Sequence, residues 1–216
     1  TRLEMLRLRS IGEVQSLVHD LKTPLNTIQG LTDLSQMMEK NPQILEYLSR
    51  ISRASEHMSG MVSDILNEDN QSNTTLEDFF HSILMNTSSF LPNELLQVHL
   101  ACPNAVIAIN QIRMIRAVVN LLDNAQKAVD PKNGVICLSA KLEGGYVQIG
   151  VEDNGAGMGP DQLRHAFEIG WSGTGSTGMG LGYVRQEVER QNGTICLSSV
   201  PGKGTCSLIC LKEVSL

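Results

Sequence analysis

The first part of the chain carries an apolar ladder that restricts the folds open to it. Its rungs are separated by steps of four and three residues, the spacing of a helix that buries one stripe against a partner helix. The rungs are Val14, Val18, Leu21, Leu25 and Ile28. The pattern predicts a helix over residues 1 to about 38 that is already under way at Thr1, so we expect the natural chain to extend upstream.

A second ladder follows the interruption at Pro42, a residue that suits the first turn of a helix. It runs from Ile44 to Ile65 with one polar rung at Ser55. Two such helices joined by a short turn form an antiparallel hairpin, which cannot cover both of its apolar stripes by itself. A dimeric four-helix bundle is therefore predicted, and a monomeric hairpin packed on the following domain is the alternative.

A histidine lies on the flank of the first ladder. His19 follows the rung Val18, Asp20 is beside it, and Thr23 lies one turn later on the same helix face. An imidazole is a nucleophile near neutral pH, and an adjacent carboxylate can hold the Nδ1 proton and make Nε2 more basic. Because Pro24 lacks an N–H and crowds the carbonyl of Asp20, the helix is expected to bend just past the histidine.

The composition of the chain limits which partners it is expected to bind and in which compartment it is expected to lie. The 216 residues suit one large or two small domains, and the net charge of −6, without a long basic run, argues against nucleic acid or an anionic membrane as the main partner. No apolar run is long enough to span a bilayer, so no direct membrane contact is expected. The five cysteines show no metal-binding spacing and are expected to be free thiols in a reducing cytoplasm.

Beyond the ladders, polar residues 67–75 are expected to form a linker, with a second domain over residues 76–216. Residues 74–77 resemble a capping box that opens a helix at Leu76. Further helices are predicted from Asn110 to Ala125, over Asp161–Phe167 and over Leu181–Gln191. Strands are predicted at Val98–Ala101, Ala105–Ile109, Val135–Leu142, Tyr146–Glu152, Thr194–Ser199 and Thr205–Lys212. This order, without βαβ regularity, predicts an α/β sandwich with a mixed sheet.

Three polar or glycine-rich stretches in the second domain are candidates for a ligand site. Asn120, Asn124 and Lys127 share one helix face, where amide oxygens suit hydrated Mg²⁺ and an ammonium suits phosphate. The stretch 153–157 puts an aspartate at a strand end, and the stretch 178–182 runs glycines into a helix N-terminus. Each stretch alone is also compatible with a solvated helix face or a plain turn.

Together these stretches resemble a known family in its order. His-Asp-Leu-Lys-Thr-Pro-Leu at 19–25 resembles the H-box of sensor histidine kinases of two-component systems, and 120–128, 153–157 and 178–182 resemble their N-box, G1 box and G2 box. The resemblance implies a dimerisation and phosphotransfer hairpin at 1–66 and a Bergerat-type ATP-binding domain at 76–216. It also implies a homodimer that transfers phosphate to a response-regulator receiver domain, in a cytoplasmic fragment of a sensor that could be membrane-anchored.

The resemblance also implies roles for single residues. His19 would be phosphorylated, Asp20 would hold or accept its proton, and Thr23 would support phosphatase activity toward the phospho-regulator. Asp153 would accept a hydrogen bond from the adenine amino group, Asn124 would ligate Mg²⁺, and Lys127 would contact phosphate. The remaining residues expected at the ATP site are Asn120, Gly155, Gly157, Gly178, Gly180 and Gly182.

The sequence departs from the family at the expected ATP lid. Ile169 replaces the proline common after Phe-Glu, and the lid at 172–177 has no Lys or Arg, so a cation near the γ-phosphate is missing. Two alternatives to the kinase remain: another Bergerat-fold ATPase, which would lack the His19 motif, and a non-catalytic dimeric scaffold with a decayed site. Nucleotide binding would separate the scaffold from the enzymes.

Overall fold

A computed structural model of the protein describes most of the second half of the chain and part of the first. The described residues are 21, 23–41, 43–44, 47–48, 51, 54–55, 58, 71–88, 90–168 and 180–214. The chain divides into two compact units, Thr1–Asp69 and Asn70–Leu216. His19, Asp20, Ile169, Gly178 and the lid at 172–177 lie outside the described residues.

The described part of the first unit is helical. Helix α1 covers residues 23–38, ending where the sequence predicts, and the described positions from 43 to 58 belong to a second helix, α2. The polar rung Ser55 is almost fully buried, and its hydroxyl donates to the backbone carbonyl of Leu25 at 3.0 Å. Because a buried hydroxyl needs a partner, this bond fixes α2 against α1. The expected bend past His19 remains a prediction.

Apolar side chains on and beside the stripe of these two helices, as far as they are described, are exposed to solvent within one chain. Ile28, Leu31 and Leu34 on α1 are between 39% and 61% exposed, and Ile51 on α2 is 47% exposed, whereas Leu25 is buried. Contiguous exposed apolar surface of this kind favours an interaction with another protein surface. None of the helices in the described ranges is long and apolar enough to cross a membrane.

The second unit is an α/β sandwich. Its elements are β1 Ser72–Thr75, α3 Leu76–Thr87, β2 Leu96–Leu100, β3 Val106–Ile109, α4 Gln111–Ala128, β4 Ile136–Glu143, β5 Tyr146–Asp153, α5 Pro160–His165, α6 Gly180–Arg190, β6 Thr194–Val200 and β7 Gly204–Lys212. Strands β2-β4-β5-β7-β6 form one sheet, in which β2 and β4 are parallel and the other pairs antiparallel. The mixed sheet predicted from the sequence is confirmed.

Two helix starts are capped by side chains, that of α3 one residue later than the capping box expected at 74–77. The Thr75 hydroxyl accepts the N–H of Asp78 at the start of α3, and the Asn110 side chain accepts the N–H of Arg113 at the start of α4. One stretch differs from the expected linker at 67–75, because Ser72–Thr75 form β1 and pair with β3 in a separate two-stranded sheet. The partner strand lies more than thirty residues away, so the local polar composition gave no sign of this pairing.

One face of the five-stranded sheet is covered by helices and the other is more open. The buried face carries Ile136, Leu138, Val147, Ile149, Val151, Ile209 and Leu211, and it packs against α4. Residues on the other face alternate with these, including Cys137, Cys206 and Cys210. All five cysteines are free, and burial raises the pKa of these three thiols, so they stay protonated at neutral pH.

A buried polar network joins α6 to the start of α4. Gln191, just past α6, donates from Nε2 to the fully buried carboxylate of Glu187 at 2.7 Å. Its Oε1 accepts the backbone N–H of Asn110 at 3.0 Å and the side-chain amide of Gln71 at 3.1 Å. Since a backbone N–H can only donate, the bond to Asn110 fixes which end of the Gln191 amide faces which partner. The network therefore holds α6 in one position along α4.

Replacing Gln191 should destabilise the second unit. In Gln191→Ala the Glu187 Oε1 and the Asn110 N–H lose the hydrogen bonds that Gln191 makes to them while they remain buried, and each unsatisfied group costs about 1–3 kcal/mol. We expect the free energy of unfolding, measured by urea denaturation, to fall by about 2 kcal/mol or more. Gln186→Ala is the matched control, because Gln186 is exposed on the same helix. Equal effects of the two substitutions would contradict the role of the network.

Candidate functional site

A buried carboxylate stands at the end of strand β5. Asp153 is only 8% exposed, and its Oδ1 accepts the backbone N–H groups of Gly155 at 2.8 Å and Thr205 at 3.3 Å. Burial raises the pKa of Asp153 above its ordinary 3.8, and these two bonds act in the opposite direction. Within the described part of the chain Oδ2 receives no hydrogen bond, so it is available to accept one from a ligand.

The loop after Asp153 fits closely against α4 and against the β6–β7 hairpin. A Cβ on Gly155 would lie 2.4 Å from the carbonyl oxygen of Ala128, the last residue of α4. Gly157 has φ +66°, and a Cβ there would lie 2.1 Å from the carbonyl oxygen of Val200. Both positions therefore exclude a side chain, and the glycines predicted at 155 and 157 are required by the packing of the backbone.

Helix α4 carries the predicted polar face next to this loop. Asn120 is half-buried, whereas Asn124 and Lys127 are exposed. The Lys127 ammonium forms an ion pair with Asp123 one turn earlier on the same helix. An exposed pair of this kind contributes little to stability, so a phosphate group can compete for the ammonium at small cost.

The start of α6 meets α4 at Asn124. A Cβ on Gly180, the first residue of α6, would lie 3.7 Å from Asn124 Nδ2, and Gly182 is buried further along the helix. Because the first N–H groups of a helix have no partner within it, this end of α6 offers donors and a favourable dipole to an anion. The structure thus brings Gly180 and the face of α4 together.

These elements form one site with two chemically different ends. Asp153 supplies a carboxylate acceptor at one end, and Asn124, Lys127 and the N-terminus of α6 supply groups for a phosphate at the other. The Asp153 loop and α4 are joined directly, since the N–H of Ala156 donates to the carbonyl of Ala128 at 3.1 Å. The arrangement suits a ligand that has N–H donors on one part and phosphate on another.

Two hydroxyl residues beside Asp153 had not been singled out from the sequence. Thr205 pairs with Asp153 across strands β5 and β7, and Ser199 pairs with Thr205 across strands β7 and β6. Only the register of the strands shows this neighbourhood. The apolar alternation of β6 and β7 predicted the strands but not their alignment.

The residues predicted for phosphate transfer are described only in part. Thr23 is exposed in α1, and its backbone carbonyl accepts the hydroxyl of Thr27 at 3.0 Å. His19 and Asp20 lie outside the described residues, so their predicted roles stay predictions.

Family models match both parts of the chain. The model of the His Kinase A (phospho-acceptor) domain matches residues 12–71. The model of the histidine kinase-, DNA gyrase B- and HSP90-like ATPases matches residues 109–215, which include α4, the Asp153 loop and α6. The order of the two matches is that of the two units.

Curated histidine kinases are similar to this chain along most of its length. The methanogenesis regulatory histidine kinase FilI of Methanothrix harundinacea is 29% identical over 98% of this chain. The sensor histidine kinases RcsC and DcuS of Escherichia coli are 30% and 27% identical over 87% and 85% of it. The chain spans only 27%, 22% and 33% of the lengths of these three proteins.

Solved structures share the fold. Full-length ShkA in complex with AMPPNP superimposes with a TM-score of 0.65 over 95% of this chain and 46% of its own, at 21% identity. The mycobacterial sensor histidine kinase MprB superimposes with a TM-score of 0.58 over 68% of this chain and 99% of its own, at 20% identity.

Gly157 and Gly202, two of the glycines of positive φ near the site, separate backbone strain from close contact. Gly157→Ala introduces both, whereas Gly202→Ala introduces strain alone, because a Cβ on Gly202, at φ +73°, would meet nothing within 4 Å. The left-handed conformation costs a non-glycine residue about 1–2 kcal/mol. We expect Gly202→Ala to lower the free energy of unfolding by about this amount and Gly157→Ala to lower it further, as measured by urea denaturation. If the two substitutions lowered the free energy of unfolding equally, the backbone at Gly157 would not lie close to the Val200 carbonyl in solution.

Proposed function

The chain belongs to the histidine kinases, with a phospho-acceptor domain followed by an ATP-binding domain, and we propose that it uses ATP to phosphorylate His19 and then passes the phosphoryl group to an aspartate of a response-regulator receiver domain. The domain limits that we propose are 1–66 for the phospho-acceptor hairpin and 76–216 for the ATP-binding domain, with a connection between them. Residues 72–75 of the expected linker form the strand β1, which pairs with β3 and so belongs to the second unit.

The Asp153 carboxylate is the observation that carries the proposal. Its Oδ1 is held by two backbone N–H groups and its Oδ2 is available, so the 6-amino group of adenine finds an acceptor in a fixed position. The phosphates would then extend toward Asn124, Lys127 and the start of α6. ShkA, which shares the fold, was solved with the ATP analogue AMPPNP, and this supports the assignment.

The side chains on α4 suit a hydrated Mg²⁺ ion. Asn124 is exposed next to Gly180 at the phosphate end of the site, and an amide oxygen is a ligand that Mg²⁺ accepts together with phosphate oxygens and water. When bound, Mg²⁺ would neutralise charge on the phosphates. We propose that Asn124 holds it, that Asn120 supports the same face, and that Lys127 exchanges Asp123 for a phosphate oxygen.

The transfer step needs an imidazole whose Nε2 carries a free lone pair while the proton stays on Nδ1. The Nε2 lone pair of His19 would attack the γ-phosphorus in line, the bond from phosphorus to the bridging oxygen would break, and ADP would leave with that electron pair. Asp20 would hold the Nδ1 proton and stabilise the cationic imidazole during attack, so that Nε2 carries the lone pair. This step needs accurate positioning more than covalent chemistry from the protein.

The open stripe on the first unit supports a homodimer. Ile28, Leu31 and Leu34 stay exposed in one chain, and a second copy of the hairpin would cover them as a four-helix bundle. We propose that the receiver domain docks on this bundle near His19, and that Thr23 orients a water for hydrolysis of the phospho-aspartate. Use of ATP and the five free cysteines support a cytoplasmic location for this part of the sensor.

Asp153→Asn should weaken nucleotide binding. An amide can turn its nitrogen toward the base and lose a bond to a charged acceptor worth about 1.5–3 kcal/mol, which is roughly a tenfold to hundredfold change in affinity. Calorimetric titration of the full chain with ADP measures this. Glu152→Gln is the matched control, because Glu152 is exposed on the opposite face of β5 and should leave affinity within twofold. Unchanged affinity of Asp153→Asn would remove Asp153 from the site.

Incubation with γ-labelled ATP tests the phosphorylation site. The full chain should take up label that is lost in acid and survives in base, as expected of phosphohistidine and unlike a serine or threonine ester. His19→Gln should take up none, and His57→Gln, at a histidine with no following Asp-x-x-x-Pro sequence, should label like the wild type. Acid-labile label on His19→Gln would refute the assignment.

The same assay tests whether Thr23 acts in the phosphorylation of His19 or only in the hydrolysis of the phospho-regulator. Thr23→Ala should label His19 within a few-fold of the wild type, because a hydroxyl is too weak a base to activate an imidazole. Turnover of a labelled receiver domain should fall tenfold or more, about 1.4 kcal/mol of barrier. A parallel loss of both activities would mean that Thr23 only braces the helix before Pro24.

A further inference from the structure

Three polar side chains form a row across the end of the sheet beside the loop 154–157. Asp153 on β5 lies opposite Thr205 on β7, and Thr205 lies opposite Ser199 on β6. Directly paired residues of neighbouring strands project from the same face. The row therefore lies on the face that packs against α4, at the end of the site assigned above to the base.

The Ser199 hydroxyl has three oxygen or nitrogen neighbours in hydrogen-bonding distance. The backbone N–H of Met158 donates to its Oγ at 2.7 Å, the carbonyl oxygen of Gly204 lies at 2.9 Å, and the Thr205 hydroxyl lies at 2.9 Å. A carbonyl can only accept, so the single proton of Ser199 points to Gly204. Ser199 then has no proton left for Thr205, and in their contact Thr205 must be the donor.

This arrangement fixes the polarity of the Thr205 hydroxyl. Its proton is directed at Ser199 Oγ, so the rest of the site meets only the lone pairs of Thr205 Oγ1. Asp153 next to it is also an acceptor, and its Oδ1 already receives the Thr205 backbone N–H. The base end of the site is thus bordered by two neighbouring acceptors with no hydroxyl proton between them and the ligand.

We propose that Ser199 is a positioning residue that selects a 6-aminopurine over a 6-oxopurine by holding the Thr205 hydroxyl as an acceptor. The exocyclic amino group of adenine carries two N–H donors and suits two acceptors. The 6-oxo group of hypoxanthine or guanine is itself an acceptor, and beside the Thr205 lone pairs it is left without a hydrogen bond. A buried acceptor without a donor is strongly penalised. This inference rests on the proposed function, in particular on a nucleotide base lying at Asp153.

The test compares ADP with IDP, two nucleotides that bind without transferring phosphate and that differ in the 6-amino or 6-oxo group and in the proton at N1. Their dissociation constants are measured on the full chain by calorimetry, with IDP also measured by competition against ADP. In Ser199→Ala the Thr205 proton loses its acceptor and is free to turn toward a 6-oxo group. We expect the ratio of the IDP to the ADP dissociation constant to fall at least tenfold, which corresponds to about 1.4 kcal/mol.

Three single variants and one double variant separate the polarity of the Thr205 hydroxyl from packing around Ser199. Ser199→Thr keeps a hydroxyl in the strand and should keep the wild-type ratio. Ser198→Ala, at the exposed neighbouring serine on the opposite face of β6, should also keep it. Thr205→Val removes the acceptor without supplying a donor to the 6-oxo group, so it should lower the ratio less than Ser199→Ala does, and the double variant Ser199→Ala/Thr205→Val should show the ratio of Thr205→Val because the two residues act through one hydroxyl.

The outcomes distinguish this inference from the proposed function. If Ser199→Ala weakens ADP and IDP in parallel and the ratio stays within twofold of the wild type, Ser199 has only a structural role and the inference is wrong. If Ser199→Ala does not fold, a wild-type ratio in folded Thr205→Val overturns the inference equally. If the wild-type chain does not bind ADP, or Asp153→Asn binds it undiminished, the proposed site is wrong and the inference falls with it.

Discussion

The hydrogen bonds between the Asp153 carboxylate and two backbone N–H groups hold the site together. They join the end of β5 to the loop that follows it at Gly155 and to the distant start of β7 at Thr205. Burying a carboxylate is costly, as the raised pKa of Asp153 shows, and the two amides recover part of that cost. An adenine amino group would supply the remaining hydrogen bond, so the same residue that organises the apo site favours the nucleotide.

Helix α4 packs against the loop that follows the Asp153 carboxylate. Its last carbonyl, at Ala128, contacts the Asp153 loop so closely that position 155 has no room for a side chain, and its exposed face presents Asn124 to the start of α6. The buried bonds of Gln191 fix α6 along α4 at the other end of the two helices. The groups proposed to bind the base and the phosphates are thus placed by one helix whose position is fixed at both ends.

Local patterns in the sequence were enough for most elements and for the position of the loop after β5. Asn110 predicted the start of α4 because a side-chain cap acts on the next turn, and the aspartate and glycines of 153–157 marked the loop because their chemistry is local. Pairing between distant segments was not readable. The strand β1 within an expected linker, the bond between Asn110 and Gln191 and the row from Asp153 to Ser199 all join distant segments, and one sequence does not encode such contacts locally.

A crystal structure of the protein with ADP and Mg²⁺ would test the account most directly. The account predicts that the 6-amino group of adenine lies within hydrogen-bonding distance of Asp153 Oδ2, that Thr205 Oγ1 borders the same group, and that the phosphates lie between Asn124 and the first turn of α6. A base bound away from Asp153, or one that turns its amino group from the carboxylate, would contradict the central claim that this carboxylate recognises the nucleotide.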